Sequence, residues 1–479
     1  QQQILNSLID FLISSHSFII LEGCAGSGKT TVLSKLINSL KNKTYIICAP
    51  THKAVEIINK KSATTKAITL DNLLKGYQKI DPITNKIYHC LSHISSINHN
   101  VIIIDECSMI NNNHLKKLLN ISNVKIIFVG DRNQLPPVGL SMSPVFNEEY
   151  QTLQLSTSMR QQQNSSILTL ANKIINNQFS IKTINNFIKT NNINKNQVLL
   201  TNRTYFEQLL IKDFNSSNYN NNPDFCRCLS YTNHQSIHYS NKIKKSITGS
   251  MLPVRGEKYT TNKNIEHIDN NGNRSTLIST NRTIEIKKII CKSIRTIKND
   301  IISGNDIDFI ECGSNITHKL FLPDNISKVL RIKSTLSKES SVLDKQHKNS
   351  PTDQLILTKL KNLNTIINQA DIDCPDIRLP YSSTIHKSQG STYTNTYIDL
   401  LDINRSKNTN LIKKLLYVAV TRASNKVIIL CDENHLPTYP TYQINKFMSN
   451  LKDFDEDFYE DDFDFESEAD TYAESLMDI

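Results

Sequence analysis

Along the first 150 residues, short apolar runs alternate with stretches whose apolar residues recur every three or four positions. Ser17–Leu21, Thr44–Cys48, Val101–Ile104 and Lys125–Val129 are β-branched runs of strand length, and Thr31–Leu40 and His114–Leu119 have helical spacing. Strands that are apolar throughout must be covered on both faces, so this alternation predicts a parallel sheet with helices on either side. The pattern returns near the end, with strands at Cys228–Tyr231, Thr396–Leu400 and Lys426–Leu430 and a helix over Leu411–Val420. Between the two lies another texture. Residues 245–378 contain in-out alternation at Arg282–Ile290 and Phe309–Leu322, broken by polar turns such as Asn270–Asn273, and close on a helical stretch, Thr352–Gln369. This predicts a small antiparallel β insertion in a second α/β unit.

Composition narrows the class. A chain of 479 residues predicts about two to four domains, and 38% hydrophobic with 21% charged residues is ordinary for a water-soluble chain. No run reaches the roughly 18 apolar residues of a spanning helix, and 12 Gly and 13 Pro exclude collagen-like and Pro/Gly-rich chains. The formal charge of +10 conceals a split. Residues 453–479 hold 13 of the 45 acidic residues and none of the 55 basic ones, which leaves residues 1–452 at +23. A body this basic suits a polyanion, most simply nucleic acid, although AT-rich coding would also enrich Lys. The ten Cys are scattered. Cys24, Cys48, Cys107 and Cys431 lie in or beside apolar runs, and Cys226 and Cys228 lack a second pair at metal spacing, so no zinc site is expected and the pattern suits a reducing, intracellular compartment. The chain opens at Gln1 without a basic-then-apolar signal pattern.

Three segments carry chemistry. Gly23-Cys24-Ala25-Gly26-Ser27-Gly28-Lys29-Thr30 fits the phosphate-binding loop, set between a strand and a helix. Its backbone N–H groups and the helix N-terminus cradle phosphates, Lys29 reaches the β- and γ-phosphates, and the Thr30 hydroxyl ligates Mg²⁺. Asp105-Glu106 follows a buried strand. There Asp105 holds Mg²⁺ and Glu106 takes a proton from the attacking water. Gly130–Pro137 follows the next strand and offers Gln134, whose amide can hydrogen-bond a γ-phosphate and a water together.

With Ala49-Pro50-Thr51-His52-Lys53-Ala54, Asp105-Glu106-Cys107-Ser108-Met109, Thr384-Ile385-His386-Lys387-Ser388-Gln389-Gly390 and Tyr417-Val418-Ala419-Val420-Thr421-Arg422-Ala423, these segments resemble the ordered motifs of superfamily 1 DNA helicases. The nearest flavour is the RecD/Dda-like, SF1B branch. The resemblance spans residues 23 to 423 and implies an α/β protein of two RecA-like P-loop domains, with parallel sheets covered by helices on both faces and ATP between them. It implies domain 1A over residues 1–160, with a small β-hairpin insert, or pin, at about 75–98. Domain 2A then occupies residues 161–244 and 379–450, interrupted by a β-rich, SH3-like insert 2B over 245–378, and residues 451–479 form the acidic tail. It implies Mg-ATP-driven movement on single-stranded DNA, 5′ to 3′, and unwinding of duplex by a monomeric motor.

Carried over residue by residue, the resemblance makes Arg160 and Arg422 the two arginines that face the γ-phosphate, beside Lys29, Glu106 and Gln134. It places Gly23, Gly26, Ser27, Gly28, Lys29, Thr30 and Thr31 on the nucleotide. An early Gln approaches the adenine, and Gln1, Gln2 and Gln3 compete for that role, with Gln3 the candidate. Single-stranded DNA contacts fall on Thr51, His52, Lys53 and Thr69 in the first domain, and on Thr232, Asn233, Thr384, His386 and Lys387 in the second. Hydroxyls, amides and Lys suit phosphate and sugar without reading bases. Tyr77–Ile80 and Lys86–Cys90 flank the turn Asp81–Asn85 and resemble the pin. Tyr88 is either its junction aromatic or simply packs the hairpin.

Beyond the last motif, aromatics Phe454, Phe458, Tyr459, Phe463, Phe465 and Tyr472 are spaced through the acids. Either the tail is solvated and disordered, or it docks on this chain's DNA groove or on a basic partner. Two other functions stand beside the DNA helicase: an RNA or RNA–DNA helicase of the same superfamily, and a P-loop regulatory ATPase acting on protein.

Overall fold

The computed structural model describes residues 1–40, 44–61, 66–147, 149–155, 166–176, 197–268 and 274–431. In chain order the first part holds strands β1 (Phe18–Gly23), β2 (Tyr45–Ala49), β3 (Ile68–Thr69), the hairpin pair β4 (Tyr77–Ile80) and β5 (Ile87–Cys90), β6 (Val101–Ile104), β7 (Lys125–Gly130) and β8 (Gln151–Leu155). Six of them form one sheet in the order β3-β2-β6-β7-β1-β8, every pair parallel. The reason is visible in the residues: Val101–Ile104 is buried at all four positions and Ile126–Val129 at all four, so neither face can meet water. One face is covered by Leu5, Leu8 and Phe11 of the helix Gln2–Ile13 and by Val32 and Leu36 of the helix Lys29–Ser39. The other is covered by Leu70, Leu115 and Leu118.

A second sheet combines β9 (Val198–Thr201) and β10 (Cys226–Ser230) with late strands β18 (Ser382–Thr384), β19 (Tyr393–Asp399) and β20 (Ala423–Leu430), in the order β18-β10-β19-β20-β9 and again wholly parallel. The helices Asn233–Thr248 and Thr409–Thr421 pack on its two faces through Tyr239 and Ile243 on one side and Leu415 and Leu416 on the other. The expected pair of parallel α/β units is therefore the fold.

The intervening chain is antiparallel, as the alternation predicts, but carries more helix than expected. It contains a five-stranded antiparallel sheet, β16-β15-β14-β11-β17, built from β11 (Lys258–Thr261), β14 (Thr283–Ile297), β15 (Asp300–Glu311), β16 (Thr317–Pro323) and β17 (Ile377–Arg378), and a separate hairpin of β12 (Ile265–Ile268) and β13 (Arg274–Ile278). The expected turn at Asn270–Asn273 lies outside the described residues. Beside the sheet stand two long helices, Ile326–Asn349 and Gln354–Asp373, of which the sequence reading anticipated the second alone. The first buries Val329, Lys333, Leu336 and Ser340 at helical spacing, but two of the four are polar, so the apolar stripe is faint. Its buried polar residues are paired instead: Lys333 Nζ donates to Asp371 Oδ1 at 2.8 Å and to the Cys374 carbonyl at 2.7 Å, and Ser340 Oγ donates to Asn364 Oδ1 at 2.6 Å. Among the described residues, no helix is long and apolar enough to cross a membrane.

Candidate functional site

Open parallel sheets gather their chemistry beyond the carboxyl ends of the strands. In the first sheet β1 leads into the loop 23–30, β2 into Thr51, β6 into Asp105 and β7 into Asp131. In the second, β10 leads into Thr232 and β18 into His386.

The phosphate loop is shaped by two glycines. A Cβ on Gly23 would stand 2.4 Å from Ser27 Oγ, and Gly28 takes φ 90° at the start of the helix Lys29–Ser39, a conformation that L side chains avoid. The Lys29 ammonium is held at the loop by the carbonyls of Gly23 and Cys24, the latter at 3.1 Å. Gly26 has φ 80°, Ser27 is fully buried, and Thr30 and Thr31 are exposed in the first helical turn. Gln3 is exposed in the first turn of Gln2–Ile13, a helix that packs against Lys29–Ser39.

Asp105 and Glu106 sit where β6 ends. The Glu106 N–H donates to Asp105 Oδ1 at 2.9 Å, and Glu106 adopts φ 54°, a left-handed conformation that a non-glycine residue holds at a cost. Burial pushes the Glu106 carboxyl up and the Asp105 and Asp131 charges add to it, while Arg422 and Lys29 oppose them. A carboxylate so placed is a stronger proton acceptor than one in water. Gln134 is buried with Oε1 unpartnered, as is Ser27 Oγ. The loop carrying Gln134 is tied back to β1 by Arg132, which donates to Glu22 through Nε at 2.5 Å and through its terminal nitrogen at 2.7 Å.

The second half meets this site directly. Tyr417, buried in the helix Thr409–Thr421, donates its hydroxyl to Asp131 Oδ2 at 2.5 Å and accepts from the Ala25 N–H at 3.2 Å. Gln389 Nε2 donates to the Leu135 carbonyl at 3.1 Å. Arg422 caps the same helix. Its guanidinium donates to the carbonyls of Val418 at 3.2 Å and Ser391 at 3.1 Å, and its charge acts on Glu106. Arg160 lies outside the described residues. Sequence reasoning passed over Tyr417 and Asp131 although both lie in quoted motifs; no spacing rule singles out a tyrosine there.

The candidate nucleic-acid residues divide into two groups. Thr51 caps the helix His52–Lys61 by accepting from Ala54 N at 3.2 Å, and leaves His52 and Lys53 partly exposed in its first turn. Burial lowers the His52 pKa, assisted by the Arg282 charge of the insertion. Thr232 and Asn233 begin the helix Asn233–Thr248, and their loop hangs on a buried carboxylate. Asp402 Oδ2 accepts from the N–H groups of Tyr231 and Thr232, both at 2.8 Å, and Oδ1 accepts from the Thr232 hydroxyl at 2.9 Å. Asn233 is exposed and accepts from Arg378 at 2.7 Å. The other group is engaged inside the protein. Thr69 is buried and caps Leu70–Leu73 by accepting from Asn72 N at 3.1 Å, and Thr384 is buried in β18 opposite Ser230. The Lys387 ammonium donates to the carbonyl of Asn262 at 2.8 Å and to its carboxamide, and burial pushes its pKa down to about 7. His386 stands with its ring 6.3 Å from that of Tyr231, and burial pushes its pKa down to about 4.

The hairpin β4–β5 leans on the insertion. Asn364 Nδ2 donates to the Thr84 carbonyl and Asn368 Nδ2 to the Asn85 carbonyl, each at 2.8 Å, and Lys86 pairs with Asp344 at 3.1 Å. Tyr88 is partly buried on β5, opposite Lys79, with the Lys86 ammonium 5.4 Å from its ring centre.

Residues 1–197 match a family model described as an AAA domain, and residues 379–430 match one described as a UvrD-like helicase C-terminal domain. An uncharacterised protein of Acanthamoeba polyphaga mimivirus is 26% identical over 89% of this chain and 98% of its own length. The RecBCD enzyme subunit RecD of Buchnera aphidicola (strain Sg) is 27% identical over 86% of this chain and 70% of that protein. Among solved structures, a Bacteroides Pif1 helicase in complex with ADP-AlF3 and ssDNA aligns with a TM-score of 0.43 at 16% identity, covering 93% of this chain and 96% of that one.

Proposed function

We propose that the chain is an ATP-dependent helicase of the RecD-like superfamily 1 kind, which its matches to an AAA domain, a UvrD-like helicase C-terminal domain and RecD support, and that it moves 5′ to 3′ on single-stranded DNA and unwinds duplex DNA. The observation that supports this most is the shared edge. The phosphate loop, the capped loop of Thr51, His52 and Lys53, and the Asp402-held loop of Thr232 and Asn233 all follow the carboxyl ends of parallel strands. A change at the nucleotide can therefore reach the strand contacts through the two sheets.

Thr30 and Asp105 would hold Mg²⁺. A hydroxyl and a carboxylate are the hard oxygen donors that ion prefers, and it would supply charge neutralisation at the phosphates. Lys29 binds the β- and γ-phosphates, Glu106 takes the proton of the attacking water, Gln134 orients that water, and Arg422, with Arg160, meets the charge that builds on the transferring group. On the strand, Thr51, His52, Lys53, Thr232 and Asn233 make sequence-neutral contacts. Thr69, Thr384, His386 and Lys387 support that surface from within, and Lys387 reaches a phosphate once released from Asn262. Tyr88 meets the duplex junction. Residues 1–160 and the two parts 161–244 and 379–450 act as the motor domains, with 245–378 as the insert.

The acidic tail, residues 453–479, lies outside the described residues; its charge, opposite to that of the body, supports docking either on this chain's DNA groove, in competition with DNA, or on a basic protein partner. ATPase activity with no nucleic acid, with poly(dT) and with poly(U) tests the reading. Strong stimulation by poly(dT) alone is expected; equal turnover in all three refutes a nucleic-acid motor, and preference for poly(U) makes it an RNA helicase.

A further inference from the structure

Arg422 is fastened to its own half of the molecule, through the carbonyls of Val418 and Ser391 and the Thr421 hydroxyl. Where it stands relative to ATP therefore depends on how that half sits on the phosphate loop. Outside the insertion, side chains of the second parallel unit donate hydrogen bonds across to the first: Gln389 to the Leu135 carbonyl, Lys414 to the Ser141 carbonyl at 3.0 Å, and Tyr417 to Asp131. Of these three, Tyr417 also touches the phosphate loop, by accepting from Ala25 N.

We propose that Tyr417 is a positioning residue for ATP hydrolysis: its hydroxyl pins the helix that ends at Arg422 to the phosphate loop and to Asp131, and so sets the distance at which that arginine meets the γ-phosphate. Tyr417 and Arg422 are five residues apart, about 7.5 Å along a helix axis. A rigid helix transmits a displacement at one to the other with little loss. The bridge is also dry, since Tyr417 is 2% and Asp131 1% exposed. Without the phenol, Asp131 Oδ2 and the Ala25 N–H each lose this partner, while Asp131 Oδ1 keeps the Asn133 N–H at 3.0 Å. The phenol stays protonated, held far above its ordinary range by burial and by the Asp131 charge, so it remains the donor at every working pH.

The inference rests on Arg422 being the arginine that meets the γ-phosphate, and the test separates the two claims. Tyr417→Phe keeps the ring and removes the hydroxyl alone. The full chain, with saturating poly(dT) or whichever polymer stimulates it most, is assayed as the parent, Tyr417→Phe, Arg422→Ala and the double variant, with thermal unfolding as the check on folding. Tyr417→Phe is expected to lower kcat by about tenfold or more, as misplacement of a reacting group by about an ångström does, with the KM for ATP changed less than about threefold. In the Arg422→Ala background the same change should cost less than about twofold, because a residue acting through Arg422 has nothing left to position. A kcat within about threefold of the parent for Tyr417→Phe overturns the proposal, as does an equal loss in both backgrounds. Near-parental turnover by Arg422→Ala would instead refute the role of the arginine. If Tyr417→Phe does not fold, Asp131→Asn, which weakens the same bond from its other end, is expected to show a smaller loss with the same dependence on Arg422. An equal loss with and without Arg422 overturns the proposal there too.

Discussion

Lys29, Glu106 and Arg422 act on different atoms of one reaction, so their replacements should fail differently. Lys29→Ala removes the charge held at the loop carbonyls and is expected to abolish turnover along with ATP binding. Glu106→Gln removes only the base and should leave ATP binding within a few-fold of the parent while stopping hydrolysis. Arg422→Ala should lower kcat about 10³-fold, the scale of an arginine finger. A fluorescent-nucleotide titration beside a steady-state ATPase assay separates these outcomes.

His386 makes a second claim at this scale. Burial depresses its pKa from 6.5 to about 4, so the unfolded chain binds a proton that the folded chain refuses. Its contribution to stability is present above pH 6.5 and is lost as pH falls through that window towards 4. Urea unfolding at pH 7 and pH 5 should show a larger drop for the parent than for His386→Gln. The chemistry at β1 and β6 was legible because a phosphate loop and an acidic pair after apolar strands have few other meanings. The pairing of Lys387 with Asn262 was not, since 125 residues separate donor and acceptor.

Elements tell the same story of local against distant causes. The buried strands β6 and β7 announce themselves through unbroken apolar runs. The helix Ile326–Asn349 does not, because Lys333 and Ser340 on its buried face are satisfied by Asp371 and Asn364, residues that sequence periodicity cannot pair with them. That helix pair is also what holds the hairpin β4–β5. Asn364→Ala removes a buried donor to the Thr84 carbonyl and is expected to cost about 1–3 kcal/mol. It should impair strand separation while sparing nucleic-acid-stimulated ATPase. Tyr88→Ala should give the same split without the loss of stability, because stacking on an exposed base is worth about 1–3 kcal/mol and plays no part in hydrolysis. A forked-duplex unwinding assay run beside the ATPase assay checks both, and unchanged unwinding by Tyr88→Ala would assign that ring to hairpin packing.

For the whole molecule, the charge split and the two sheets make separate claims. Residues 453–479, tethered to a body of +23, face it at an effective concentration on the order of mM. Deleting them should tighten single-stranded DNA binding at low salt, and the gain should shrink as the Debye length falls to about 8 Å at physiological salt. Unchanged affinity would mean that the tail does not mask the groove. The central claim is that nucleotide chemistry in one cleft is coupled to a strand held across both sheets. Steady-state ATP hydrolysis by the full chain, without nucleic acid and with saturating poly(dT) or poly(U), tests it most directly. The account predicts turnover that rises about tenfold or more with poly(dT), a lowering of the barrier by about 1.4 kcal/mol or more, and much less with poly(U); turnover that is the same with and without either polymer would contradict it.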